Sequence, residues 1–135
     1  MRYIMTALLV AALTIPTTLI AQTLPREVVQ AQLDAYNAGD IDAFLAVFAE
    51  DAKLYRLGND EPFAAGKVQL RTLYGKLFEN SPDLHSEVTT RTVIGNRVID
   101  YERITGRNGQ AEPWFIVMIY EVEEGLIRRA WSLSE

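Results

Sequence analysis

Two acidic residues, Asp100 and Glu102, combine side-chain type and spacing in a way that points to chemistry. They lie two positions apart in a β-rich segment, so a strand places both carboxyl groups on one side, with about 6 to 7 Å between the Cα atoms. Two carboxyl groups in an enclosed apolar site repel, and burial raises both pKa values, so that one can hold a proton while the other accepts one. This predicts an acid–base pair. The alternative is a solvated strand face with Ile99 and Tyr101 pointing inward.

The single histidine, His85, is a further candidate because it begins the first long β-rich segment and shares its alternation with Glu87, Thr89 and Arg91. Such a histidine can shuttle protons, or it can be an ordinary surface or hydrogen-bonded residue. One histidine and no cysteine exclude thiolate zinc sites, disulfides and cysteine nucleophiles. The sequence also has no Gly-rich phosphate loop, nucleophile elbow or acidic calcium loop. We therefore expect neither a metal site nor a cofactor.

Composition and charge narrow the class of protein. The chain has 135 residues, of which 49% are apolar and 23% charged, as in one globular domain. Its 13 basic residues are scattered and are outnumbered by 18 acidic ones. A surface that follows nucleic-acid phosphates is therefore not expected.

The first 21 residues have the pattern of a secretory signal peptide. Arg2 is followed by an apolar stretch from Tyr3 to Ile15, Pro16 interrupts it, and Ala21 offers a small residue for cleavage. Residues 22–135 then form one domain of a periplasmic or secreted bacterial protein, with no stable membrane association after cleavage. The alternative is a membrane anchor, since 18 uncharged residues run from Tyr3 to Ile20.

Periodicity predicts three helices followed by four strands. The helices run from Pro25 to Gly39, from Asp40 through Phe48, and over Leu70 to Phe78, with a short strand at Ala52–Leu57 between the last two. From Leu84 the period becomes 2, and turn residues divide a meander into strands at about residues 84–94, 97–105, 112–122 and 126–133. This is an α+β domain in which long, curled strands can enclose a cavity against the helices.

Several short segments resemble one known family. They are Val28-Val29-Gln30, Asn37-Ala38-Gly39-Asp40, Phe48-Ala49-Glu50-Asp51-Ala52, Glu61-Pro62, and Gly125 ahead of the last strand. With the order of elements, they cover nearly all of the chain from Pro25 onward. The sequence thus resembles the nuclear-transport-factor-2-like superfamily, which includes ketosteroid isomerases and SnoaL-like polyketide cyclases.

The resemblance implies a cone-shaped fold of three N-terminal helices on a strongly curved, mostly antiparallel sheet that encloses a pocket. It implies that Asp100 and Glu102 face this pocket, together with Arg56, which could neutralise an acid or bind a substrate oxyanion. The pocket-lining residues expected from it are Gln32, Tyr36, Leu54, Ile104, Phe115, Val117 and Ile119. It also implies a homodimer through the outer sheet face, expected to present Trp114, Ile116, Met118, Tyr120 and Trp131.

The resemblance does not extend to the catalytic residues of ketosteroid isomerase. That chemistry, a worked example of pKa tuning, uses an Asp base with a Tyr and a protonated Asp as oxyanion hole. The corresponding positions here are Arg56, Gln32 and Val117. An arginine cannot accept a proton near neutral pH, and a valine neither donates nor accepts. Steroid isomerisation is therefore not expected.

These observations predict an exported domain that binds a small, partly apolar molecule. It could be a cofactor-independent acid–base enzyme with isomerase, cyclase or dehydratase chemistry at Asp100 and Glu102. The alternative is a non-catalytic ligand-binding or protein-interaction dimer, in which the acids and Arg56 form a buried structural network.

Export can be checked directly on protein from the native host. We expect an intact mass that lacks the first 21 residues, with a mature N-terminus close to Gln22, because Ala21 suits signal cleavage. Full-length chain recovered from the membrane fraction would instead show that the apolar stretch is an anchor.

Overall fold

The structure is a computed structural model that describes residues 24–135. The predicted signal peptide lies outside the described residues and stays a prediction. The elements, in chain order, are α1 (Pro25–Ala38), α2 (Ile41–Ala46), β1 (Phe48–Arg56), β2 (Ala64–Ala65), α3 (Gly66–Glu79), β3 (His85–Ile94), β4 (Arg97–Thr105), a 3-10 turn (Arg107–Gly109), β5 (Trp114–Glu123) and β6 (Leu126–Ser134).

Local sequence explains where the first two helices begin and end. Pro25 occupies the first turn of α1, and Glu27 Oε2 accepts a hydrogen bond from the Leu24 amide at 3.3 Å. Gly39 ends α1 with φ at 63°, and Asp40 Oδ1 caps α2 by accepting from the Ala43 amide at 3.0 Å. The helix predicted through Phe48 is shorter than expected, because Phe48 pairs with Ile127 and begins β1 instead.

The six strands form one sheet in the order β2-β1-β6-β5-β4-β3. Every neighbouring pair is antiparallel except β1 and β6, which run parallel. The three helices pack on one side of this sheet around a core that includes Phe44, Leu70, Val98 and Ile127, all fully buried. The predicted α+β architecture, with three helices on a mostly antiparallel sheet, is confirmed.

The side of β5 that faces the helices is the opposite of the predicted one. Asp100 lies across from Met118 and Glu102 across from Ile116, and directly paired residues of antiparallel strands share a face. The inner face of β5 therefore carries Trp114, Ile116, Met118 and Tyr120. Phe115, Val117 and Ile119, predicted to line the pocket, lie on the outer face. Both alternating sets of β5 are apolar, so periodicity alone could not distinguish the two faces.

The outer face of the sheet is apolar at its centre. Ile119 lies between Ile99 and Trp131, and two aromatic pairs stack there, Tyr101 with Phe115 and Tyr55 with Trp131, at centroid distances of 6.0 and 5.8 Å. Of the residues predicted for a dimer interface, only Trp131 is on this face. The apolar residues of this face are Tyr55, Ile99, Tyr101, Phe115, Val117, Ile119, Trp131 and Leu133.

We propose that this outer face joins two copies of the chain, because a contiguous patch of aromatic and aliphatic side chains on one surface is typical of an interface core. Replacing Ile119 with Glu places an uncompensated charge at the centre of the contact and is expected to weaken dimerisation at least about 100-fold. Light scattering at micromolar concentration measures this. Val68→Glu, at a position on α3 that is 83% exposed, is the matched control. A monomeric unmodified protein would contradict the proposal.

Candidate functional site

A cavity of about 1020 Å³ lies between the helices and the inner face of the sheet. Its volume is at the upper end of the usual range for small-molecule sites. The floor is formed by buried or half-buried residues, namely Gln32, Tyr36, Tyr74, Glu102, Ile104, Ile116 and Tyr120. The rim is formed by exposed residues, namely Arg56, Phe63, Leu73, Lys76, Asn80, Asn108, Gln110 and Glu135. A ligand can thus enter past a polar rim and reach an apolar interior that contains one acid.

Asp100, one of the two predicted acids, forms a salt bridge with Arg91. Arg91 Nε and Nη2 donate to the two carboxylate oxygens of Asp100, both at 2.7 Å, and the pair is almost completely buried. Arg91 Nη1 also donates to Gln30 Oε1 on α1 at 2.8 Å. The hydrogen bonds that Arg91 donates to Asp100 raise the pKa of the guanidinium. This bidentate pair links β3, β4 and α1, and Asp100 is not part of the cavity wall.

Glu102, the second predicted acid, is on the floor of the cavity and has no basic partner within salt-bridge distance in the described part of the chain. Burial raises the pKa of Glu102 to about 7, and the negative charge of Asp100 adds to the rise. Hydrogen bonds from Ser86 Oγ at 2.7 Å and Tyr120 Oη at 3.3 Å, and the charge of Arg91, oppose it. A carboxyl group with a pKa near neutral can take up and release a proton at physiological pH.

Ser86, which donates to Glu102, is held in place from helix α1. Asn37 accepts a hydrogen bond from the Ser86 amide at 2.7 Å and donates to the Ser86 carbonyl oxygen at 2.9 Å. These two bonds attach the last turn of α1 to β3 and fix the backbone from which the hydroxyl reaches Glu102. Asn37 therefore positions the acid through Ser86.

Besides Tyr120, two further phenols share the cavity floor with Glu102. Burial raises the pKa of Tyr36 and of Tyr74 far above their ordinary values, and the charge of Glu102 raises both further. Both hydroxyl groups therefore stay protonated at neutral pH and can donate hydrogen bonds. A ligand oxygen that gains negative charge beside Glu102 would find these donors already in place.

Several of the other predicted site residues do lie at the cavity. Gln32, Tyr36 and Ile104 lie on the cavity wall as expected, and Arg56 reaches its rim, with the guanidinium 5.6 Å from the Phe63 ring centroid. Among the salt bridges of residues 24–135, Arg56 pairs with neither acid, and the partner of Asp100 is Arg91.

Two remaining residues lie away from the cavity. His85 is exposed at the start of β3, as in the surface alternative, and does not line the cavity. Leu54, predicted to line the pocket, is instead buried in the core between Ala64 and Ala130.

Sequence reasoning did not assign a role in the site to several residues around the acids, namely Asn37, Tyr74, Ser86, Arg91, Arg107 and Tyr120. Ser86 and Glu102 lie on adjacent strands, and a bulge between Val88 and Thr90 shifts the register so that Val88 lies opposite Glu102 and Ser86 opposite Ile104. Counting back from the turn at Gly95-Asn96 would have paired Arg91 with Asp100. Tyr74 and Arg107 depend on how a helix and a loop pack over the sheet, for which alternation gives no signal.

Within residues 24–135, no three His, Asp or Glu side chains gather in a way that could hold a metal ion. None of the helices in this range is long and apolar enough to cross a membrane.

The family model of the SnoaL-like domain matches residues 29–130. The chain belongs to the SnoaL-like domain family. No curated protein sequence matches it. The match includes all of the described hydrogen bonds to Glu102, so this SnoaL-like domain carries its buried acid within the conserved fold of the family.

Solved structures with this fold include three that illustrate its range. A cystatin fold protein from Novosphingobium aromaticivorans is 24% identical with a TM-score of 0.75, over 82% of this chain and 98% of that one. A SnoaL-like candidate polyketide cyclase from Jannaschia is 20% identical with a TM-score of 0.69, over 82% and 85%. A candidate ketosteroid isomerase from Kribbella flavida is 21% identical with a TM-score of 0.67, over 82% and 77%. These likenesses confirm the nuclear-transport-factor-2-like fold.

The raised pKa of Glu102 predicts a specific pH dependence of stability. Between its ordinary pKa of 4.5 and the folded value of about 7, the folded state holds a proton that the unfolded state releases. The contribution of Glu102 is therefore greatest below pH 4.5 and is lost as the pH rises through about 7, a difference of about 3 kcal/mol in the free energy of unfolding. Glu102→Gln should remove this part of the pH profile.

Urea unfolding at several pH values measures the effect as the difference between variant and unmodified protein. Glu87→Gln changes an exposed glutamate on the neighbouring strand and serves as the control. Parallel profiles for Glu102→Gln and the unmodified protein would mean that Glu102 titrates normally.

Proposed function

We propose that this SnoaL-like domain binds a small, partly apolar molecule and catalyses a proton transfer on it, with Glu102 as the general base. The observation that carries the proposal is a single carboxyl group on the floor of a large cavity, held by two hydroxyl donors and without a basic partner. Isomerisation and cyclisation both begin with such a transfer from carbon. The fold likeness to a candidate cyclase and a candidate isomerase is consistent with this class of reaction.

The chemistry follows from the charge of each group. Ionised Glu102 takes a proton from a carbon next to a carbonyl or similar acceptor, and the electron pair left on carbon moves onto the acceptor oxygen. Tyr36 and Tyr74 donate hydrogen bonds to that oxygen as it becomes negative. Protonated Glu102 then returns the proton to a different atom of the substrate, which completes an isomerisation. In a cyclisation the enolate carbon instead attacks a second carbonyl carbon, the C=O π bond of that group breaks, and its oxygen takes the proton back from Glu102. Neither outcome needs a cofactor.

The predicted pairing of Asp100 with Glu102 as acid and base is replaced in this proposal. Arg91 neutralises Asp100 and keeps it out of the cavity, so the structural-network interpretation applies to Asp100. Glu102 acts alone, and both proton transfers pass through it. If the predicted signal peptide functions, the reaction takes place in the periplasm or outside the cell.

A generic substrate tests the base without knowledge of the natural one. In the Kemp elimination of nitrobenzisoxazole, a base removes the ring C–H proton, the N–O bond breaks, and a coloured cyanonitrophenolate forms. The rate should rise with pH through about 7 and then level off, because only ionised Glu102 accepts the proton. Glu102→Gln should lower it about 100-fold or more, to the rate in buffer.

Glu87→Gln, with its exposed carboxyl group on the opposite side of the sheet, should leave the rate unchanged. Ser86→Ala should move the midpoint of the pH profile upward, because it removes a hydrogen bond that favours the ionised form of Glu102. A rate that does not depend on Glu102 would refute the base and leave a cavity that only binds.

A further inference from the structure

The cavity wall carries an excess of basic side chains near its opening. Arg56, Lys76 and Arg107 all line it, against the two acids Glu102 and Glu135. Each of the three basic residues is absent from the salt bridges of residues 24–135, which use other arginines and Lys67. Charges that face a cavity without a protein partner are available to a ligand of opposite sign.

We propose that the ligand is an organic anion with an apolar body, and that Arg107 binds its carboxylate or other oxyanion. The inference rests on the proposed function only in placing the reacting end of this molecule at Glu102. The anion-binding role of Arg107 stands on the charge of the wall alone.

Arg107 is held in place before any ligand arrives. It follows Gly106, which has a φ of 70°. Gly106 lies so close to the Asp83 carbonyl group that a Cβ at this position would be 2.2 Å from the carbonyl oxygen. The next amide, of Asn108, donates to Ser81 Oγ at 2.8 Å. The guanidinium lies 4.6 Å from the ring centroid of Trp114, which supports its flat face and leaves the N–H groups at its edge for a planar oxyanion.

Arg107 and Glu102 act on the same two phenols with opposite electrostatic effects. The charge of Arg107 lowers the pKa of Tyr36 and Tyr74, whereas the charge of Glu102 raises it. The charges that act on Glu102 itself are those of Asp100 and Arg91. Arg107 lies on the Trp114 ring, and Glu102 lies opposite Ile116, two residues further along β5, so one ligand on this wall can contact both groups.

The wall between the two charged groups is apolar. Ile104, Trp114 and Ile116 form it from β4 and β5, and Met118 extends the apolar wall beyond Glu102. A hydrocarbon or aromatic body fits this surface, and its burial favours binding through the hydrophobic effect. The anion then selects among molecules of similar shape, because an uncharged analogue leaves the guanidinium without a partner.

Calorimetric titration with a matched pair of probes tests the proposal. Naphthylacetate and naphthylacetamide have the same apolar body and differ in charge. At about pH 6, where Glu102 is mostly uncharged, the unmodified protein should bind the acid about tenfold more tightly than the amide. Arg107→Gln should remove this preference by lowering the affinity for naphthylacetate while leaving the affinity for naphthylacetamide unchanged. Arg103→Gln, an arginine on the outer side of β4, is the matched control and should preserve it.

The outcomes separate this inference from the proposed function. Equal affinity for the two probes, no binding of the acid at millimolar concentration, or a preference that survives Arg107→Gln would each overturn the anion site. The Kemp substrate is uncharged, so its Glu102-dependent rate does not rely on Arg107. Glu102→Gln should retain the preference for naphthylacetate over naphthylacetamide. If that preference is measured but the Kemp elimination does not depend on Glu102, the role of Glu102 as general base is refuted and the anion site is upheld.

Discussion

The bidentate pairing of Arg91 with Asp100 determines the character of the whole cavity floor. Two carboxylates two residues apart on one strand would repel each other if both were left in an apolar interior. Arg91 satisfies one of them with two short hydrogen bonds and is itself fixed to α1 through Gln30. Removing either partner would leave a buried charge, which costs several kcal/mol, so the pair is fixed by energy as well as by geometry. Glu102 consequently remains the one floor acid free to change its protonation.

The charge and chemical character of the cavity lining change from its rim to its floor. The rim is exposed and carries basic side chains, whereas the floor combines an acid with phenols that keep their protons. The hydroxyls of Ser86 and Tyr120 limit how far burial can raise the pKa of Glu102, and the balance places it near neutral. A more polar floor would give an ordinary glutamate, and a drier one without donors would give a permanently protonated acid.

Sequence patterns predicted the layers of the fold better than the wall of the cavity. Turn residues and the change of period located the helices and the four long strands, because backbone geometry imposes those repeats directly. The face of β4 carrying Asp100 and Glu102 was placed inward through the family resemblance, and the structure has it there. The face of β5 was inverted, because Phe115, Val117 and Ile119 are as apolar as Trp114, Ile116 and Met118. The pairing of Glu102 with Ile116 settles the matter, and such pairing depends on register that one strand does not encode.

The parallel pairing of β1 with β6 has a consequence for how the molecule forms. The meander from β3 to β6 can assemble by successive hairpins, each closing a short loop. Bringing Leu54 beside Ala130 instead closes a loop that contains most of the domain, at an entropic cost that local contacts cannot offset in advance. Helix α1, which carries Asn37, belongs to the part of the chain joined by this closure. The cavity, whose wall includes residues of α1, is complete only when this segment has joined the meander, and contacts of such long sequence separation are typical of slowly folding domains.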